Sequence, residues 1–204
     1  MDIKLFFGAI IKFTLGVLII GLLIFIPMFI AGIILWLKNP ELLKKRLNVK
    51  EKESEQKQVI ALSGVMFLLG FITCGLNYRY GWIVLPDIVV MISSVIFIIA
   101  YILYAEVLRE NAYLSRTIEV QESQKVVDTG LYGIVRHPMY AVTVILFLSM
   151  PLILGSIISF VIFLVYPFII AKRIKNEEEV LEKELEGYIE YKKKVKYKMI
   201  PFIW

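Results

Sequence analysis

The chain has 204 residues, 59% of them hydrophobic and 20% charged, with a mean hydropathy of +0.76. Soluble domains keep an apolar fraction near about half, so this composition excludes an ordinary soluble globular protein and places the chain in a membrane. The 23 Lys/Arg and 18 Asp/Glu leave a net charge of +5 and crowd into 38–58, 106–137 and 172–198, with long uncharged runs between them, which is the layout of spans and loops.

A helix crosses a bilayer with about 20 predominantly apolar residues. Residues 13–37 supply 25 without a charge and predict a first span, kinked at Pro27 as helices in lipid tolerate. Lys4 and Lys12 ahead of it resemble the start of a signal peptide, but no small-residue cleavage site follows and the run is too long for an h-region, so a retained helix is expected. Uncharged runs at 59–78 and 88–105 predict the second and third spans, with Gly81, Trp82 and Pro86 in an interfacial turn between them. Cys74 is expected as a packing residue.

Residues 139–171 form 33 uncharged positions broken by Pro151 and Gly155-Ser156. Lys and Arg in short loops mark the cytoplasmic side. Arg109, Arg116, Lys125 and Arg136 precede this run and nine basic residues follow it, so both flanks belong on one side and the run is expected to be a hairpin with arms 139–150 and 156–171. Segment 38–58 carries seven Lys/Arg and the turn at 79–87 only Arg79. The expected architecture is therefore an all-α integral membrane protein of about five transmembrane helices, the last two a hairpin, with the N-terminus outside and the C-terminus cytoplasmic. Within 172–198, Ile174, Leu181, Leu185, Tyr188 and Val195 draw an apolar stripe on a charged helix, predicting an amphipathic helix that lies on the membrane or caps the bundle. Residues 1–105 hold the N-terminal spans and a basic loop, and residues 106–204 hold the chemistry.

One cysteine and one histidine, Cys74 and His137, exclude a disulfide framework and a zinc or haem centre with paired His ligands. No metal is expected. The densest polar signal is Thr129-Gly130-Leu131-Tyr132-Gly133-Ile134-Val135-Arg136-His137-Pro138-Met139-Tyr140, where a basic loop enters the fourth apolar run. Pro138 suits a first helical position, and free N–H groups together with Arg136 and His137 make this helix start attractive to an anion. The plain alternative is an interfacial anchor and a helix cap. The second signal is Arg173-Ile174-Lys175-Asn176-Glu177-Glu178-Glu179, whose adjacent carboxylates either stay solvated or hold a cation. If the hairpin returns to its starting side, the two sets bracket one pocket with an anion-favouring and a cation-favouring end.

Thr-Gly-Leu-Tyr, then Val-Arg-His-Pro-Met-Tyr, an apolar hairpin, Arg-Ile-x-x-Glu-Glu-x-x-Leu ending at Leu181, Tyr188-x-x-Tyr191, Val195 and Ile200-Pro201 together resemble the isoprenylcysteine carboxyl methyltransferase family and its phospholipid methyltransferase relatives, over about residues 106–204. The resemblance implies S-adenosylmethionine as cofactor, a lipophilic acceptor taken from the membrane, and a pocket closed by the C-terminal segment. It implies that His137 and Tyr140 line the cofactor pocket, that Arg136 serves the anionic end, that Glu177 and Glu178 face the ammonium, and that 125–131, including Lys125 and Leu131, approach the adenosine. The sequence departs from the family in offering one span before residue 38 and in Ala141-Val142 after Tyr140, where relatives often carry a glycine.

Asn111 and Arg116, in the loop after the third span, are candidates to hold the acceptor, with Arg116 the candidate catalytic residue that orients an anionic group near the methyl. An ordinary juxtamembrane role is their bland reading. The expected function is methyl transfer to a lipophilic acceptor, such as the carboxylate of an isoprenylated cysteine or a related lipid-like acid. Two rivals stand beside it. A membrane reductase of the sterol type would use NADPH, whose extra phosphate wants Arg/Lys rather than a Glu pair. A helical scaffold would bind anionic lipid through its basic loops, each charge contributing about 1 kcal/mol. An anionic lipid surface is an expected partner; a nucleic acid is not.

Overall fold

The computed structural model describes residues 54–114 and 118–204, together with isolated helical positions between 26 and 44. The chain divides into two compact units, Met1–Asn48 and Val49–Trp204. Most of the predicted first span lies outside the described residues, and Arg116 lies outside them altogether.

Among the described residues of the second unit every regular element is helical: α1 (Ser54–Tyr80), α2 (Asp87–Glu110), a 3-10 turn (Gly130–Gly133), α3 (Pro138–Ile153), α4 (Ile157–Phe163), α5 (Tyr166–Glu184) and α6 (Tyr188–Lys194). Among the described residues, three helical stretches are long and apolar enough to cross a bilayer: Lys57–Tyr80, Asp87–Glu110 and Ile157–Glu184, the last running through α4 and α5. α3, with 16 residues, rises about 24 Å at 1.5 Å per residue, short of the roughly 30 Å hydrocarbon layer. The surface inverts the soluble pattern. Leu68, Phe71, Ile92, Ile98, Ile102 and Phe168 are exposed, whereas Asn77, Ser93, Ser149, Ser156 and Ser159 are buried. An integral membrane protein is built this way, because lipid accepts apolar side chains and every polar group must find a partner inside.

The internal packing follows that rule. α2 lies along α3, and α1 packs on α4 and α5. Gly70 of α1 lets Phe163 close in, since a Cβ there would fall 2.2 Å from the Phe163 ring. Ser159 Oγ donates to the Gly70 carbonyl at 2.8 Å, a small-residue contact of the kind that holds helices together in lipid. At the end of α1, Asn77 Nδ2 donates to the carbonyls of Ile83 and Gly155 at 3.0 and 3.1 Å. The turn after α1 and the tip of the 139–171 run therefore share one end of the bundle.

The break in that run is local chemistry. α3 ends at Ile153 just beyond Pro151, Gly155 takes φ +73°, and Ser156 caps α4 by accepting from the Ser159 amide at 3.2 Å. The second arm is longer than the sequence suggests because it continues without a stop into the charged segment. The single amphipathic helix expected over 172–198 is corrected: α5 ends with Leu185 in an extended conformation and α6 restarts at Tyr188. Its apolar stripe turns inward. Leu185, Tyr188, Tyr191 and Val195 form one buried cluster with Leu181, Val120 and Val126 packed on it.

Candidate functional site

At the end of the bundle opposite the Asn77 latch, the polar segments converge. Glu110, closing α2, accepts from the Leu131 amide at 2.9 and 3.2 Å. Gly130 makes this approach possible, having φ +52° and no Cβ, which would sit 1.6 Å from the Glu110 carboxylate. The turn then delivers Arg136 and His137, whose amides donate to the carbonyls of Tyr197 and Lys198 at 2.9 and 2.8 Å. The tail is thus paired to the segment leading into α3. His137 precedes α3 as its cap residue and Pro138 occupies the start, where a missing N–H costs nothing.

Glu178 is the centre of the junction. Its Oε1 accepts from Arg136 Nε at 2.8 Å and lies 3.2 Å from His137 Nε2, while its Oε2 is 3.2 Å from Lys198 Nζ and 3.8 Å from Lys192 Nζ. Arg136 Nη1 donates to the carbonyls of Val195 and Lys196 at 2.7 and 2.8 Å. Both side chains are 4% exposed. A charge this deep must be paired, and here one carboxylate ties three basic side chains of the entry segment and tail to α5.

One residue earlier on α5 the arrangement is different. Glu177 Oε2 accepts from the Tyr140 hydroxyl at 2.5 Å, and that hydroxyl in turn accepts from Arg173 Nε at 2.8 Å. These three groups line a cavity of about 810 Å³, counting its open mouth, whose walls also include Asn111, Lys125, Arg136, His137, Tyr132 and Tyr188. Glu119 and Glu177 supply its negative side chains; Arg173, Lys125 and Arg136 supply positive ones.

The structure therefore brings together six of the expected site residues, Asn111, Lys125, Arg136, His137, Tyr140 and Glu177, on one cavity. Two sit beside it. Glu178 is turned into the ion cluster, and Leu131 packs in the apolar cluster between α2 and α3. Arg173, Tyr132 and Tyr188, motif members given no site role by the sequence, and Glu119, outside every motif, also line the cavity. For Arg173 a signal existed, since four residues separate it from Glu177 and place both on one helix face. For Tyr188 the sequence signals are the Tyr188-x-x-Tyr191 pair and an apolar stripe that suits either the membrane surface or a cap on the bundle, neither of which names a cavity.

Residues 89–183 match the sequence model of the isoprenylcysteine carboxyl methyltransferase family. Those residues are similar to that family. They run from α2 through the arginine–histidine–proline segment and the hairpin to Glu177 and Glu178, the elements that enclose most of the cavity. A solved structure of the eukaryotic intramembrane Ras methyltransferase ICMT (isoprenylcysteine carboxyl methyltransferase), determined without a monobody, is similar in fold with a TM-score of 0.61 and 18% identity. The match covers 83% of this chain and 60% of that one, so the chain spans less than two thirds of the length of that protein. No curated protein sequence matches the chain.

Proposed function

We propose that the chain is an integral-membrane methyltransferase that uses S-adenosylmethionine and methylates a lipophilic acceptor, the carboxylate of an isoprenylated cysteine or a related lipid-like acid. The observation that carries this reading is the cavity at the polar end of apolar helices in which Glu177, held by Tyr140 and through it by Arg173, shares the wall with Arg136 and His137. A methionine moiety bears an ammonium and a carboxylate on one carbon, and this donor set suits such a zwitterion. The match of residues 89–183 to the isoprenylcysteine carboxyl methyltransferase family supports the same chemistry. An NADPH reductase would need cations where Glu177 stands.

When bound, the cofactor supplies a methyl group on a sulfonium, open to direct displacement. The chain's contribution is positioning, which supplies much of the rate in reactions that bring two bound groups into line. Glu177 holds the ammonium, and Arg173 fixes the Tyr140 hydroxyl that orients Glu177. Asn111, on the cavity wall at the end of α2, stands where an acceptor can be held, and Arg116 is the second candidate for that task. A carboxylate acceptor is already a nucleophile and needs no base. Excluding water from it in a membrane-side cavity would raise its reactivity. The lysine- and arginine-rich tail and loops support placing this end, and the C-terminus, in the cytoplasm, against an anionic lipid surface.

The experiment is incubation of the purified protein with methyl-labelled S-adenosylmethionine and membrane lipid extract. Label should enter a lipid-soluble, base-labile product. Glu177→Gln should weaken donor binding by about 1.5–3 kcal/mol, the range for a hydrogen bond to a charged group. No label in lipid, or a Glu177→Gln variant that binds donor as the parent does, contradicts the proposal.

A further inference from the structure

Beyond α6 the chain closes into a small knuckle whose outer surface is apolar. Ile200, Phe202 and Ile203 are exposed, Phe202 to 87% and Ile203 to 77%, with the Trp204 ring at their edge. The backbone of the knuckle satisfies itself almost completely. The amides of Met199 and Ile200 both donate to the Trp204 carbonyl at 3.0 Å, those of Ile203 and Trp204 donate to the Ile200 carbonyl at 3.2 and 3.0 Å, and Pro201 has no amide to satisfy. Phe202 takes φ +66°, a left-handed conformation that a bulky residue seldom adopts, with its ring 5.4 Å from that of Tyr197. A contiguous apolar projection of this kind is a liability in water unless something covers it.

We infer that residues 200–204 form a membrane anchor whose occupant is the headgroup and upper acyl region of an anionic bilayer. The depth of the knuckle points to it first. Met199, at its root, is buried in one cluster with Val59, Ile170 and Ile174. Val59 lies in the first turn of the Lys57–Tyr80 stretch, and Ile174 follows Lys172 and Arg173, where the charges of α5 begin. The knuckle therefore leaves the bundle at the level where apolar spans give way to polar segments. Its closed backbone is the second observation, because a turn that bonds its own amides can enter a medium that offers none. Charge is the third. Lys196 and Lys198 lead into the knuckle, and Lys198 Nζ stands 5.3 Å from the centre of the Trp204 ring. Tryptophan beside lysine suits a headgroup layer of anionic lipid. The anchor bears on the site through the backbone. The Tyr197 and Lys198 carbonyls, just ahead of the knuckle, accept from the Arg136 and His137 amides at 2.9 and 2.8 Å, so lipid that holds the knuckle also holds the tail against the entry to α3. None of this depends on the reaction proposed above.

The test places a nitroxide label at Phe202→Cys or Ile203→Cys in a Cys74→Ala background of the full chain, in nanodiscs of equal parts phosphatidylcholine and phosphatidylglycerol. Collisions with oxygen, which concentrates in lipid, are compared with collisions with a water-soluble nickel chelate. Phe168→Cys, on an exposed apolar position of a spanning stretch, and Lys193→Cys, exposed on α6, serve as the lipid and water references. At both knuckle positions the oxygen-to-nickel ratio should rise above the Lys193→Cys value and shift toward that of Phe168→Cys. A ratio no higher than that of Lys193→Cys at either position overturns the anchor, since the knuckle then faces water. A label that neither collider reaches overturns it as well, because protein then covers the knuckle, and spin–spin broadening between labels would identify that protein as a second copy of the chain.

Discussion

Glu178→Ala should destabilise the protein by about 3–5 kcal/mol, the cost of breaking a buried ion pair by removing one partner. The carboxylate answers Arg136, His137 and Lys198 within 3.2 Å and Lys192 within 3.8 Å. With it gone, a guanidinium that is 4% exposed loses its counter-charge. The cost measures that orphaned charge rather than the net worth of the cluster. The damage should reach the tail, which is held to α5 partly through this carboxylate, so proteolysis near Lys196 should accelerate along with a fall in the thermal midpoint in detergent. Glu179→Ala is the control: the neighbouring side chain is exposed, and its loss should change stability by less than about 1 kcal/mol. Similar losses for the two variants would return Glu178 to an ordinary helix surface.

Phe163→Ala is expected to cost about 3 kcal/mol, the lower end for removing a buried phenylalanine. Phe163 is fully buried, with its ring 5.3 Å from that of Phe67 and 6.0 Å from that of Phe71, and its edge against Gly70. In lipid the transfer term is small because acyl chains are themselves apolar. What remains is the lost dispersion contact and the void, since the α1 backbone cannot collapse past Ser159 to fill it. Unfolding in a mixed-micelle denaturant series reads the change. Phe168→Ala, 76% exposed on the same arm, should move the transition little, and a comparable loss there would mean that α1 and α4 are not the tight pair described.

Much of this architecture is legible in the sequence because apolar runs report span positions with little regard for tertiary context. Runs at 59–78 and 88–105 fall within α1 and α2, and Pro151 with Gly155-Ser156 marks the turn between α3 and α4. The charge layout also implied that residues 136 and 178 return to one side, and they meet at 2.8 Å. Sequence could not tell the two adjacent glutamates apart. Neighbours on a helix point about 100° apart, and which of them meets the cavity depends on how α5 is rotated against α3. The tail mattered too. Its pairing with Arg136 and His137 runs through main-chain carbonyls of Val195 to Lys198, which carry no side-chain signature. The inward stripe of Leu181, Leu185 and Tyr188 was visible as periodicity, but periodicity identifies a face and not what covers it.

The most direct measurement is calorimetric titration of the purified, detergent-solubilised protein with S-adenosylhomocysteine and, separately, with NADPH. The cavity walled by Glu177, Tyr140 and Arg173 predicts saturable one-to-one binding of the adenosyl compound, weakened by Glu177→Gln, and no binding of NADPH. Saturable NADPH binding with none for S-adenosylhomocysteine would contradict the account.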